Sequence, residues 1–231
     1  MILVSDIAKR IKLIVDRGLA PSLKQTGFRR SAMTFYRQNG EALQVVNVQP
    51  NRWNSNESGS FTINVGVDFA EVAKLMPGYL PMPRTPKEYC CILRIRVGDL
   101  MPTGKDHWWT IAPNTNVEEL SAELVGVWTS NIEPWLEKLK TVSSLASQPK
   151  PSAWQNPYLR AAANVLVGNQ AEAAECIAAE IKRINSDPDA THPANAKLKD
   201  ERLAKLEKWA ADQNLTIMND VKHGIVEPEK T

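Results

Sequence analysis

The stretch Ser60-Phe61-Thr62-Ile63-Asn64-Val65-Gly66-Val67-Asp68-Phe69 decides how the rest of the chain is read. Phe61, Ile63, Val65, Val67 and Phe69 alternate without a fault with Ser60, Thr62, Asn64, Gly66 and Asp68. Successive side chains of an extended chain point to opposite faces, so this period of two predicts a strand with one buried and one wetter face. Upstream, residues 33–38 and 41–49 are extended stretches flanking Asn39-Gly40, a dipeptide suited to a tight hairpin because both residues tolerate positive φ. Downstream, residues 89–97 alternate again, with Tyr89, Cys91, Leu93, Ile95 and Val97 opposite Arg94 and Arg96. Neighbours in sequence tend to pair in space, so these stretches predict an α+β fold built on an antiparallel sheet of four or more strands flanked by helices.

Outside the sheet the period changes. Ser5 is placed to cap a helix in which Ile7, Ala8, Ile11, Leu13, Ile14, Val15 and Leu19 recur mainly three and four apart. Pro21 is expected to interrupt or kink it and Gly27 to end the segment. Residues 76–86 carry Pro77, Pro81, Pro83 and Pro86 and are expected to form a structured loop. Thr115 or Asn116 can cap a long helix with Glu118 and Glu119 in its first turn, where carboxylates meet the positive end of the helix dipole. Pro134 is expected to kink or restart that helix. Residues 143–152 are rich in Ser, Pro and Lys and read as a linker. Beyond them the composition shifts to Ala, Glu and Lys, and helices are expected over 156–167, 171–184 and 196–213. No second copy of this pattern recurs at a fixed period, so no repeat array is expected. The organisation this implies is an α+β domain over 1–145, a linker over 146–155, a helical hairpin-like extension over 156–219 and a frayed tail over 220–231.

Composition narrows the function classes. Of 231 residues, 43% are hydrophobic and 23% charged, as in ordinary globular proteins. The net charge of +2 is too small for a strongly basic nucleic-acid binder, although it is unevenly spread. Residues 1–114 carry 15 basic and 9 acidic side chains, and residues 115–231 carry 13 and 17. Cys90, Cys91 and Cys176 are odd in number and have no zinc-like spacing, which fits a reducing compartment. No signal peptide and no apolar run long enough to span a membrane is visible, so a cytoplasmic protein without a membrane partner is expected.

The wetter face of the sheet is the most informative candidate surface. Thr62, Asn64, Arg94 and Arg96 should share it, Asn47 and Gln49 can join them, and Arg52 and Trp53 follow in the next loop. Guanidinium forks suit carboxylate or phosphate, and tryptophan supplies a flat anchor. The bland reading is a solvated or helix-covered face. Trp108 and Trp109 should face opposite sides of a strand, so either one reaches a surface or each packs in its own layer. Candidate binding residues are therefore Arg52, Trp53, Thr62, Asn64, Arg94, Arg96, Trp108 and Trp109. No catalytic residue, metal ligand or cofactor is assigned. His107 could pair with Cys90 or Cys91, yet no third group orients them, and buried strand cysteines are mostly inert.

Several of these motifs together resemble a known family. They are Gly27-Phe28-Arg29-Arg30, Thr34-Phe35-Tyr36-Arg37, Val45-Val46-Asn47-Val48-Gln49, Arg52-Trp53-Asn54 and Phe61-Thr62-Ile63-Asn64-Val65-Gly66-Val67. Arg94, Arg96-Val97-Gly98 and Trp108-Trp109 complete the set. In that order they resemble the uncharacterised bacterial family known as domain of unknown function 4304, over roughly residues 5–140. Cys90-Cys91 stands where the family often carries a Cys-His pair. The resemblance implies no activity. By analogy of fold and size it suggests a small cytoplasmic partner-binding protein of the immunity or antitoxin kind. The expectation is therefore a non-catalytic protein that holds a protein partner. The alternatives are a nucleic-acid or nucleotide binder using the Arg/Trp face and an enzyme of unknown reaction.

Overall fold

A computed structural model describes residues 6–148, 156–187 and 193–217. Ser5 and the tail from 218 onward lie outside the described residues. The sheet holds β1 (Arg29–Ser31), β2 (Thr34–Asn39), β3 (Ala42–Pro50), β4 (Gly59–Asp68) and β5 (Leu93–Arg96) in that spatial order. β6 (Trp109–Ile111) pairs with the first residues of β4, on the edge that β5 uses further along. Every pairing is antiparallel. β2 and β3 meet at Asn39↔Ala42, so the hairpin turns on Gly40 and Glu41, one residue later than the Asn39-Gly40 pattern suggested. Gly40 takes φ +63°, and a Cβ there would press on the Lys140 carbonyl.

One face of the sheet makes the main core. Phe35, Val46, Val48, Phe61, Ile63, Val65, Val67, Leu93, Trp109 and Ile111 are all buried on it. Against them pack α1 (Asp6–Arg17) through Ile7, Ile11, Ile14 and Val15, and α2 (Leu19–Gln25) through Leu19 and Leu23. α5 (Val117–Val127) adds Leu120, Leu124 and Val127. Burying each such large side chain stabilises the fold by about 1.5–3 kcal/mol. The expected single N-terminal helix is in fact two, and the break is at Gly18 rather than Pro21. Gly18 lets the chain pass against the Ser121 backbone of α5, where a Cβ would not fit. Pro21 sits in the first turn of α2, where a missing N–H has no intrahelical partner to lose.

The other differences also have local causes. The strand expected over 89–97 covers only Leu93–Arg96. Glu88–Cys90 form a 3-10 turn, and α4 (Val97–Leu100) begins at once, because the Asp99 carboxylate accepts the Arg96 backbone N–H and starts a helical turn. After α5 the chain passes through a π turn, Trp128–Ile132, into α6 (Glu133–Glu137), which takes Pro134 near its start. Overlapping the start of the stretch expected as linker is α7 (Val142–Ala146), capped by Thr141 and tied to the hairpin by Glu41, which accepts the Val142 N–H at 2.8 Å.

The C-terminal helices are α8 (Tyr158–Leu166), α9 (Gln170–Asn185) and α10 (Pro193–Asp212). α8 docks on α7 and on α3 (Ala70–Leu75), the helix that follows β4. Trp209 of α10 donates its indole N–H to the Leu75 carbonyl at 2.7 Å and packs edge-on to Tyr158. These helices join the main apolar core at the hairpin end of the sheet.

Asn116 caps α5 as expected, accepting the N–H groups of Glu118 and Glu119. Asn116→Ala is expected to lower unfolding stability by about 1 kcal/mol. Chemical denaturation measures this, and an unchanged midpoint would show the cap to be redundant.

Candidate functional site

Strand register places the candidate residues before any side-chain detail is considered. Residues directly opposite in an antiparallel pair share a face. One row across the second sheet face therefore reads Arg29, Tyr36, Val45, Gly66, Arg94, and the next reads Ser31, Thr34, Asn47, Asn64, Arg96. A third row pairs Gln49 with Thr62. The alternation in β4 was thus read in the right phase. Its consequence differs from the expected wetter face: Thr62, Asn64, Gly66 and Asp68 are all buried.

Buried polar groups need partners, and these have them. The Thr62 hydroxyl donates to the His107 carbonyl at 2.8 Å. The Asn64 amide donates to Gln49 Oε1 at 2.6 Å, and the Asn47 amide to Thr34 Oγ1 at 2.9 Å. Thr62 and Asn64 therefore lie beneath the surface that Asn47, Gln49 and Tyr36 half-expose.

Part of the face is covered by the chain itself. The 3-10 turn brings Cys91 over Gly66 so closely that a Cβ on Gly66 would lie 2.7 Å from Cys91 Sγ. Glu88 is buried there and pairs with Arg94 at 3.6 Å, while the tip of the turn exposes Tyr89 and Cys90. Burial first, then the nearby Asp68 and Glu88 charges, push the Cys91 thiol well above its ordinary range, and Arg94 only partly opposes them. A thiol held protonated in this way is a poor nucleophile. His107 packs edge-on against Trp109, 4.5 Å between ring centres, and its Nε2 is buried without a hydrogen-bond partner. The contacts of these rings do not form a Cys–His pair. Among the described residues no three His, Cys, Asp or Glu side chains are grouped to hold a metal ion.

The exposed side chains lie at the edge. Arg96 pairs with Asp106 at 2.9 Å and lies over the Trp108 ring at 5.4 Å, and the Trp108 indole donates to the same carboxylate at 2.9 Å. Burial would raise the Asp106 pKa, but the hydrogen bonds from Trp108 and Arg96 outweigh it and hold the carboxyl below its usual range. Trp109 faces the other way, buried and stacked on Phe61. In the β3–β4 loop Trp53 is 77% exposed, with the Arg52 guanidinium 4.6 Å from its ring centre. The structure thus brings together Arg96 and Trp108, and separately Arg52 and Trp53. It buries Thr62, Asn64 and Trp109, and it commits Arg94 to Glu88.

Three residues of this face escaped the sequence reading. Arg29 is placed by a three-residue strand too short to show a period. Lys87 and Tyr89 are placed by the fold-back of the 3-10 turn, for which no local signal exists except the room that Gly66 leaves.

These features describe an α+β protein with a polar sheet face that carries arginines at its edges. The chain belongs to the family described as domain of unknown function (DUF4304), whose model matches residues 19–138. No curated protein and no solved structure matches the chain. No described helix is long and apolar enough to cross a membrane.

Asp68 ends the buried face and accepts a long hydrogen bond, 3.4 Å, from the Ile92 N–H. Burial raises its pKa above the unfolded value. The stability it contributes is then fully present below the unfolded pKa and is lost as pH rises through the folded one. Asp68→Asn keeps the acceptor and removes the buried charge. It is expected to raise the melting temperature at neutral pH by about 2–4 °C, with the gap to the parent closing as pH falls through the carboxylate range. A lower melting temperature at neutral pH would show that the charge is stabilising.

Proposed function

We propose that this is a cytoplasmic bacterial binding protein, non-catalytic, that holds a protein partner on the arginine- and tryptophan-bearing flank of its sheet. Neutralising a toxin, as immunity proteins and antitoxins do, is one concrete form of that role. The observation that carries the reading is Trp53. A tryptophan 77% exposed in a loop, with a guanidinium lying on its ring, is an anchor left open to solvent among the described residues. Arg96 and Trp108 repeat the same pairing nearby in sequence to the sheet edge. Cys90 and Cys91 form no disulfide among the described residues, and Cys90 is exposed, which supports a reducing compartment.

An enzymatic role finds less support, since the one half-buried thiol on this face is held protonated. A nucleic-acid role would use the same arginines, but the two stacked tryptophans already carry guanidinium groups on one ring face.

The test begins with affinity capture, followed by re-expression of the captured protein and calorimetric titration. Trp53→Ala is expected to weaken the complex about 30-fold and Arg96→Ala about tenfold. Both variants should keep the parent's circular dichroism and melting temperature to within a few degrees. Full affinity in both would remove this surface from the binding site.

A further inference from the structure

The charges of the sheet domain are unequally satisfied. Asp6, Asp16, Glu71, Glu88 and Asp106 each hold a cation. Glu41, Asp68 and Asp99 each accept a backbone N–H. Glu57, in the same β3–β4 loop as Arg52, is the acidic side chain of residues 6–114 left over, and Glu119 and Glu133 on the helices that follow likewise form no ion pair among the described residues. Several cations, in contrast, form no ion pair among the described residues; one of them, Arg29, is on the polar face by register, and three more, Arg52, Lys87 and Lys105, belong to segments that adjoin its strands. Arg29 begins the first row at the β1 edge and is exposed. Arg52 lies over the Trp53 ring and forms no ion pair among the described residues. Lys87 precedes the buried Glu88 in the fold-back segment, and Lys105 precedes Asp106, the partner of Arg96.

Between these cations the register places half-exposed Tyr36, Asn47 and Gln49. Arg29 and Arg94 stand at opposite ends of one row, four strand spacings or about 19 Å apart. The face therefore has an uncharged polar floor, an aromatic at one side and positive charge around its margin. Exposed cations with no internal partner attract anions from solution, and guanidinium groups bind carboxylates in a two-pronged manner.

We infer that this face takes an acidic polypeptide segment, whose Asp and Glu side chains meet Arg29, Arg52, Lys87 and Lys105 while its backbone lies over Tyr36, Asn47 and Gln49. This deepens the binding reading above and rests on it. A peptide suits the layout better than a nucleic-acid strand for two reasons. The cations are spread around a margin instead of along one track, as a phosphate backbone requires. The floor amides offer hydrogen bonds that fit a peptide backbone, whereas Trp53 and Trp108 each present one ring face already covered.

The test uses the full chain and two defined polyanions, poly-L-glutamate and oligothymidylate, titrated by fluorescence anisotropy at low and at physiological salt. Poly-L-glutamate is expected to bind at low salt and to weaken as salt screens the contact. Arg29→Glu should weaken it about fivefold, and Arg29→Glu combined with Arg52→Glu at least about tenfold. Neither residue has an ion pair to break, so both variants should fold. Lys24→Glu makes the same charge change on α2, on the other side of the sheet and likewise without an ion pair, and should leave affinity within about twofold.

An equal loss in Lys24→Glu would reduce the effect to overall charge and overturn the inference. Absence of poly-L-glutamate binding at low salt overturns it too. If a captured partner still depends on Trp53 in that case, the protein-binding reading stands without its acidic segment. Tighter binding of oligothymidylate, lost in Arg29→Glu, would overturn both.

Discussion

From Phe61 to Asp68, β4 has no solvent side. Its apolar residues face the helices α1, α2 and α5, and its polar residues face the second sheet surface, where they are buried as well. A strand placed so must satisfy every polar side chain from within the protein, because an unsatisfied buried group costs about 1–3 kcal/mol. The Thr62 contact to the His107 carbonyl and the Asn64 contact to Gln49 answer that demand. They also fix neighbours: the first ties the segment before β6 to the sheet, and the second locks β3 to β4 by side chains in addition to the backbone ladder.

The same constraint shapes the candidate site. Since Thr62 and Asn64 are committed to internal hydrogen bonds, the charged groups left for a partner are at the margin of the face. There the side chains are long, half-solvated and charged. Arg96 illustrates the balance. Its guanidinium contacts a carboxylate and an indole at once, so it is oriented while still partly open to solvent. An exposed pair of this kind adds little to stability, and its steric order is of more consequence than its energy.

The helices after residue 156 relate to the sheet differently from the polar segment around Glu88. They bury Leu159, Ala161, Ala162, Ala163, Ala173 and Ile177 into the same core as the sheet domain, through α3 and α7. Small alanines on α8 allow close helix approach, and Trp209 is held by a hydrogen bond to the Leu75 carbonyl at the C-terminal end of α3. Leu145 and Ala146 of α7 share one apolar cluster with Leu159 of α8 and Ile177 of α9, so packing joins the helices on the two sides of the composition change.

How much of this was legible depends on the range of the interaction. Period-two alternation, the Asn39-Gly40 signal, the Asn116 cap and the Ala-rich helices are local, and each is visible in residues 2 to 15 positions apart. The phase of the polar face was visible for the same reason, since strand geometry alone puts Thr62, Asn64 and Gly66 together. By itself the sequence determined an antiparallel α+β fold and the side of the sheet on which Arg94, Arg96, Thr62 and Asn64 lie. Only tertiary structure decided that Thr62 and Asn64 are buried, that Arg94 serves Glu88, that Arg29 joins the face, and that the first helix breaks at Gly18. Those outcomes turn on the fold-back of Cys91 over Gly66, on strand order and on the passage of Gly18 against Ser121. They are contacts between segments distant in sequence, and no short-range pattern of residue types encodes which backbone will approach which.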